Sequence, residues 1–166
     1  MSIGTNLGLT NPIIIDYPET KLIGIRQNMS FAQNTTYKLW AGFMPRKREI
    51  TNATSNERFS LQNYTESFFE NFSPIVSFEK WAAVAVNDFE SIPDGMETYT
   101  IPAGKYAVFH YTGNSKNATE VFRYILAEWL PQFGYSLDTR PHFEILGDKY
   151  RNGDDDSEED IYIPVK

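Results

Sequence analysis

At 166 residues, with 41% hydrophobic and 15% aromatic content, the chain can bury a sizeable core and is too apolar to be disordered. A formal net charge of -7 argues against any role built on phosphate neutralisation, so direct binding to DNA or RNA is not expected. Zero cysteines and two histidines, His110 and His142, exclude disulfides, thiolate metal sites and histidine-rich metal centres; no metal and no cofactor are expected. The sequence has no run of ~18 apolar residues and no signal-like start, so the expectation is a cytoplasmic protein with no membrane partner.

Residues 1–12 are small and polar and read as a loose lead-in. Ile13, Ile14 and Ile15 suit a short edge strand. Residues 21–31 alternate, with Ile23, Ile25 and Gln27 on one face and Gly24, Arg26 and Asn28 on the other, as in a half-buried strand. Thr35 and Thr36 offer an N-cap to a helix over 37–50, with Leu39, Trp40, Phe43 and Met44 at helical spacing. Pro45 should end or kink its regular part. Arg46, Lys47 and Arg48 read as a solvated basic end that suits the helix dipole. Residues 59–64 and 78–86 are strands joined by an aromatic-rich connection, and 88–95 form a loop.

The order then repeats: strands over 96–101 and 105–111, a helix over 117–130 capped by Asn117 or Thr119, and closing strands over 142–146 and 160–165. Strand-helix-strand-strand thus occurs twice, at about 80 residues per copy. The expected fold is α+β: one domain over 1–166, in β-α-β-β halves of about 13–90 and 96–166. They share an antiparallel sheet, with both helices on one face and a ligand groove between the halves.

Glu144 stands inside an apolar strand pattern. A buried carboxylate is costly unless partnered, so it is either paired internally, with a Tyr hydroxyl or Arg140, or held for a cationic or polar ligand. Asp154, Asp155 and Asp156 lack the spacing of a calcium loop and read as a solvated turn. His142, two residues from Glu144 and on its face, reads as a polar residue at the start of its strand rather than a proton relay. No Ser-His-Asp pattern, phosphate-cradling loop or dinucleotide fingerprint is present.

Five segments in order carry a resemblance: Trp81-Ala82-Ala83-Val84; Ile101 through Phe109, with Pro102-Ala103-Gly104; Glu128-Trp129-Leu130-Pro131; Pro141-His142-Phe143-Glu144; and Ile161-Tyr162-Ile163-Pro164-Val165. Together they resemble the GyrI-like small-molecule-binding family, which includes effector-binding domains of AraC-type and MerR-type transcription activators. The resemblance spans about residues 20–166. It implies a duplicated β-α-β-β fold whose groove floor carries an acidic residue for cationic lipophilic ligands, here Glu144. The acidic residue opening the family's terminal strand corresponds to Asp160, with Tyr162 as its aromatic. No helix-turn-helix segment precedes the first strand, so a stand-alone sensor or sequestering module is expected, without a DNA-binding domain. The alternatives are a small-molecule hydrolase using Glu144 and an inhibitor of an unidentified partner protein.

The expected ligand contacts are therefore Glu144, Trp81, Tyr64, Tyr162, Asp160, Phe109 and Trp40. Trp81 shares a strand face with Ala83 and Ala85, which leaves room for a pocket. Trp40 is favoured as core, and Trp129 reads as structural. Tyr106 and Phe109 fall on opposite strand faces, so only one can line the groove, and Phe109 is preferred. In the ligand-free state Glu144 should accept a hydrogen bond from a Tyr hydroxyl or a water.

Overall fold

The computed structural model describes residues 7–70 and 72–166. Residues 1–6 of the expected lead-in lie outside the described residues. The rest of it is not loose. Leu9 is buried and bridges to Tyr111, and the Thr10 N–H donates to the His110 carbonyl.

Among the described residues eight strands follow: β1 Ile13–Tyr17, β2 Thr20–Met29, β3 Arg58–Asn63, β4 Phe78–Ala85, β5 Glu97–Ile101, β6 Gly104–Thr112, β7 His142–Leu146 and β8 Glu158–Pro164. They form one sheet in the order β1-β6-β8-β7-β3-β4-β2-β5, with every neighbouring pair antiparallel. The expected α+β class and duplicated order are met. One half runs β2, helix, β3, β4; the other runs β6, helix, β7, β8; and they join edge to edge through β3 and β7. The leading strand of each half crosses over: β1 pairs with β6 of the second half, and β5 with β2 of the first.

That crossing forces the sheet to curl. β1 and β2 stand six places apart in the sheet order, roughly 29 Å if flat at ~4.8 Å per strand. Only Pro18 and Glu19 separate them, a reach of about 10 Å. Pro102 and Ala103 impose the same closure between β5 and β6. The face turned away from the helices folds in on itself. There Tyr17 of β1 packs 5.2 Å from the Phe143 ring of β7, in a cluster with Leu22, Leu61, Trp81, Ile101 and Tyr106.

The other face carries the helices. α1, Thr36–Phe43, sets Leu39 and Phe43 on Ile23, Ala82 and Val84. It passes at Pro45 into a 3-10 turn, Met44–Glu49, because proline cannot continue the regular hydrogen bonding. Thr35 does not cap α1; its hydroxyl donates to Gln27, while the Asn34 side chain accepts from the Thr36 N–H. α2, Ala118–Tyr124, continues through a π-helical stretch, Ile125–Trp129, and a last turn, Leu130–Gln132. Pro131 has no N–H for the carbonyl four residues back, and the wider turn before it takes up that break. Gly134, at φ +75°, closes the helix: its N–H donates to the Pro131 carbonyl and that of Tyr135 to Leu130. Val121, Ile125 and Trp129 pack on Phe109, Ile161 and Ile163. The two helices thus cover separate apolar cores, one per half.

Candidate functional site

Between those two cores, over the junction of β3 and β7, the helix face of the sheet turns polar. Strand alternation and register put Ser60 and Gln62 of β3, Lys80 of β4, His142 and Glu144 of β7 and Glu159 of β8 on this face. Ser60 lies directly opposite Glu144, and Gln62 lies between Lys80 and His142.

Glu144 is 7% exposed. Its Oε1 accepts from Gln62 Nε2 at 3.2 Å, and its Oε2 has no partner among the described residues. Of the expected donors, a Tyr hydroxyl or a water, no Tyr hydroxyl reaches it among the described residues; the donor is an amide from the neighbouring strand. Arg140 is occupied elsewhere, donating to the Lys105 and Val165 carbonyls and to Asp138 over the Tyr106 ring. Burial pushes the Glu144 carboxyl above its ordinary range, with Lys80 and Gln62 pulling the other way.

Two further charges belong to this stripe. Burial, with the nearby Glu144 charge, pushes Glu159 up to about 8. Burial pushes the Lys80 ammonium down, opposed by Glu144 and Glu159. Among the described residues, none of the three forms a direct ion pair. Sequence reading did not single out Lys80, Gln62 or Glu159. The signal was the one that found Glu144, a polar side chain within an apolar alternation: Phe78, Lys80, Ala82, Val84 on β4 and Glu159, Ile161, Ile163 on β8.

Tyr64 follows β3 and reaches the same place. Its ring lies 4.9 Å from that of His142, and Phe69 lies 5.8 Å from His142 on another side. Burial, then the charge of Glu144, holds the Tyr64 hydroxyl far above its usual range. His142 is 4% exposed, and burial pushes it down to about 3, so it is neutral. These rings floor a cleft of about 420 Å³ on the helix face. Tyr64, Phe69 and Glu70 bound it from one half, Leu126, Leu130 and Leu137 from the other. Glu144 does not line this cleft; it lies one strand repeat beyond His142 on the same face of β7.

The other expected contacts are distributed differently. Phe109 shares the helix face but is fully buried beneath α2, edge-on to Trp129 at 5.2 Å. Trp40 packs in the α1 core, edge-on to Phe43 at 5.9 Å. Trp81, Tyr162 and Asp160 point to the opposite face, so the sheet itself separates them from Glu144. Trp81 Nε1 donates to Glu79 at 2.6 Å, and Tyr162 stacks on Phe143 at 4.5 Å. Asp160 and Glu158 hold the two ring nitrogens of His110 at 2.8 and 2.9 Å. The carboxylate that β8 presents beside Glu144 is Glu159, one residue from the expected position.

Among the described residues, no helix is long and apolar enough to cross a membrane. The description of a GyrI-like small molecule binding domain matches residues 10–166. The transcriptional regulator BrlR of Pseudomonas aeruginosa is 28% identical over 153 residues, covering 92% of this chain and 54% of BrlR, so the chain spans about half that protein's length. The structure of SAV2435 bound to tetraphenylphosphonium superposes with a TM-score of 0.67 at 17% identity, covering 95% of this chain and 94% of that one. The C-terminal domain of EcmrR does so with a TM-score of 0.68 at 17% identity, covering 93% and 96%. A polar stripe between two helix-covered half-sheets and a family match over nearly the whole chain lead to one conclusion: the chain belongs to the GyrI-like small-molecule-binding domain family, related to the effector domains of transcription regulators.

Proposed function

We propose that the chain binds a lipophilic organic cation, or an aromatic compound carrying a cationic group, in the stripe between its halves, as a sensor or sequestering module. The observation that carries this reading is the unpartnered Oε2 of the buried Glu144. A buried carboxylate with one oxygen unpartnered among the described residues is a cost to the fold, and a bound cation offsets it. The ligand enters by the 420 Å³ cleft. It reaches Glu144 when the Tyr64 ring swings aside, and the faces of Tyr64 and Phe69 then pack on it. Tetraphenylphosphonium, bound in the SAV2435 structure, is the natural first probe.

The test is a calorimetric titration with tetraphenylphosphonium and a set of cationic dyes, on the wild type and Glu144→Gln. Wild type should bind at least one of them. The variant should bind about tenfold or more weakly, the scale of a lost charge-assisted contact (~1.5–3 kcal/mol). No binding by wild type, or equal binding by the variant, refutes the reading.

A further inference from the structure

We propose that Lys80 is a resident counter-cation tethered on the polar stripe, with which an incoming organic cation must compete for Glu144 and Glu159. The inference rests on the cation-binding reading and adds a residue that sets its strength and selectivity.

The argument begins with β4. On the helix face this strand presents Phe78, Lys80, Ala82 and Val84, and the three apolar members are built into the core beneath α1. Lys80 alone faces the polar stripe, flanked in register by Gln27 of β2 and Gln62 of β3. The charges that act on it are those of Glu144 on β7 and Glu159 on β8. Ser60, His142 and the guanidinium-bearing Arg58 lie on the same face of β3 and β7. An amine on a strand otherwise given to core, aimed at two carboxylates, is a counter-charge. Yet it makes no direct ion pair with either of them.

That separation makes it displaceable. A clamped pair would have to be broken at high cost, whereas a lysine held by attraction across a gap can withdraw on its flexible stem toward water. Lys80 is partly exposed. A cation placed beside Glu144 would be repelled by the Lys80 charge, which acts on the same carboxylate. Lysine therefore acts as a tethered competitor. It lowers affinity for every cation, and lowers it least for ligands whose aromatic surface adds binding that the amine cannot match.

The test compares wild type, Lys80→Met and Lys80→Arg with tetraphenylphosphonium. Methionine keeps the length and removes the charge; arginine keeps the charge. Lys80→Met should bind about tenfold or more tightly than wild type, and Lys80→Arg should not. Unchanged or weaker binding by Lys80→Met overturns the tethered cation and leaves the binding reading standing. Binding by Lys80→Met alone supports the tethered cation and removes organic cations as ligands of the native groove. Binding by neither overturns both. A second readout needs no ligand. Carboxyl-carbon NMR titration of the free proteins should show the Glu144 and Glu159 midpoints rising in Lys80→Met, because their counter-charge is gone; unmoved midpoints overturn the proposal.

Discussion

Replacing Glu144 with glutamine should make the ligand-free protein more stable, and the size of the gain follows from its contacts. Oε1 receives one hydrogen bond, from Gln62 at 3.2 Å, while Oε2 receives none among the described residues. Glutamine keeps an acceptor for Gln62 and carries no charge into the buried stripe. An unpartnered buried charge costs more than an unpartnered neutral amide, and that difference, about 1–3 kcal/mol, is the expected gain at pH 8. Lys80 still faces Glu159 in the variant, so the change leaves no isolated ammonium. For a chain of this size the gain corresponds to about 2–12 °C in Tm. The pH dependence fixes the cause. Burial raises the folded-state pKa of Glu144 above its unfolded value, so its stability cost is absent below about pH 4 and grows as pH rises through the folded pKa. The advantage of Glu144→Gln should therefore be largest at pH 8 and vanish near pH 4. Urea unfolding without ligand at both pH values measures it. A variant equal to or less stable than wild type at pH 8 would mean that the carboxylate is already satisfied in the empty groove, and the reasoning for a held-open site would fail.

Two further predictions concern the same region. His142, pushed down to about 3, costs stability as pH falls below its unfolded value near 6.5; Glu159, pushed up to about 8, costs stability as pH rises above its own near 4.5. The His142 slope opposes that of Glu159, and Glu144 adds to the alkaline side, so the wild type should be most stable within about pH 4.5–6.5 and decline on both sides, and a Glu159→Gln variant should show a shallower alkaline decline. Trp81→Phe removes the Nε1 hydrogen bond to Glu79 and should destabilise the fold by about 1–2 kcal/mol, while leaving tetraphenylphosphonium affinity within about twofold. Tyr64→Ala should weaken that affinity by about tenfold through loss of a cation-facing ring, and if Trp81→Phe proves the more damaging to binding, the site lies on the other face of the sheet.

Period-two alternation was enough to place each side chain on a face, and it did so correctly for Trp81, Tyr106, Phe109, Asp160 and Tyr162. It carries no information on which face of one strand meets which face of the next. That depends on register between strands far apart in sequence, and so Glu144 could be grouped with Trp81 and Tyr162 although the sheet lies between them. The terminal strand shows the sensitivity of such matching: a shift of one residue exchanges Asp160 for Glu159 and moves the carboxylate through the sheet. The curl was also hidden, because it arises from β1 and β5 pairing across the halves, which no local pattern announces. Pro45, by contrast, marked its helix break in advance, since a missing N–H acts wherever the chain places it.

The exchange of leading strands also bears on how the chain is made. Ile13 pairs with Val108 and Tyr17 with Gly104, so β1 leaves the ribosome well before its partner exists. At ~5–20 residues per second, roughly 90 further residues take on the order of 5–20 s. Through that interval Ile13, Ile14 and Ile15 form an unpaired, β-prone apolar stretch, the kind of segment that seeks the edge of any open sheet. Nascent chains stalled before β6 should thus be the aggregation-prone species during synthesis, and a chaperone that shields this stretch would raise the yield of folded protein.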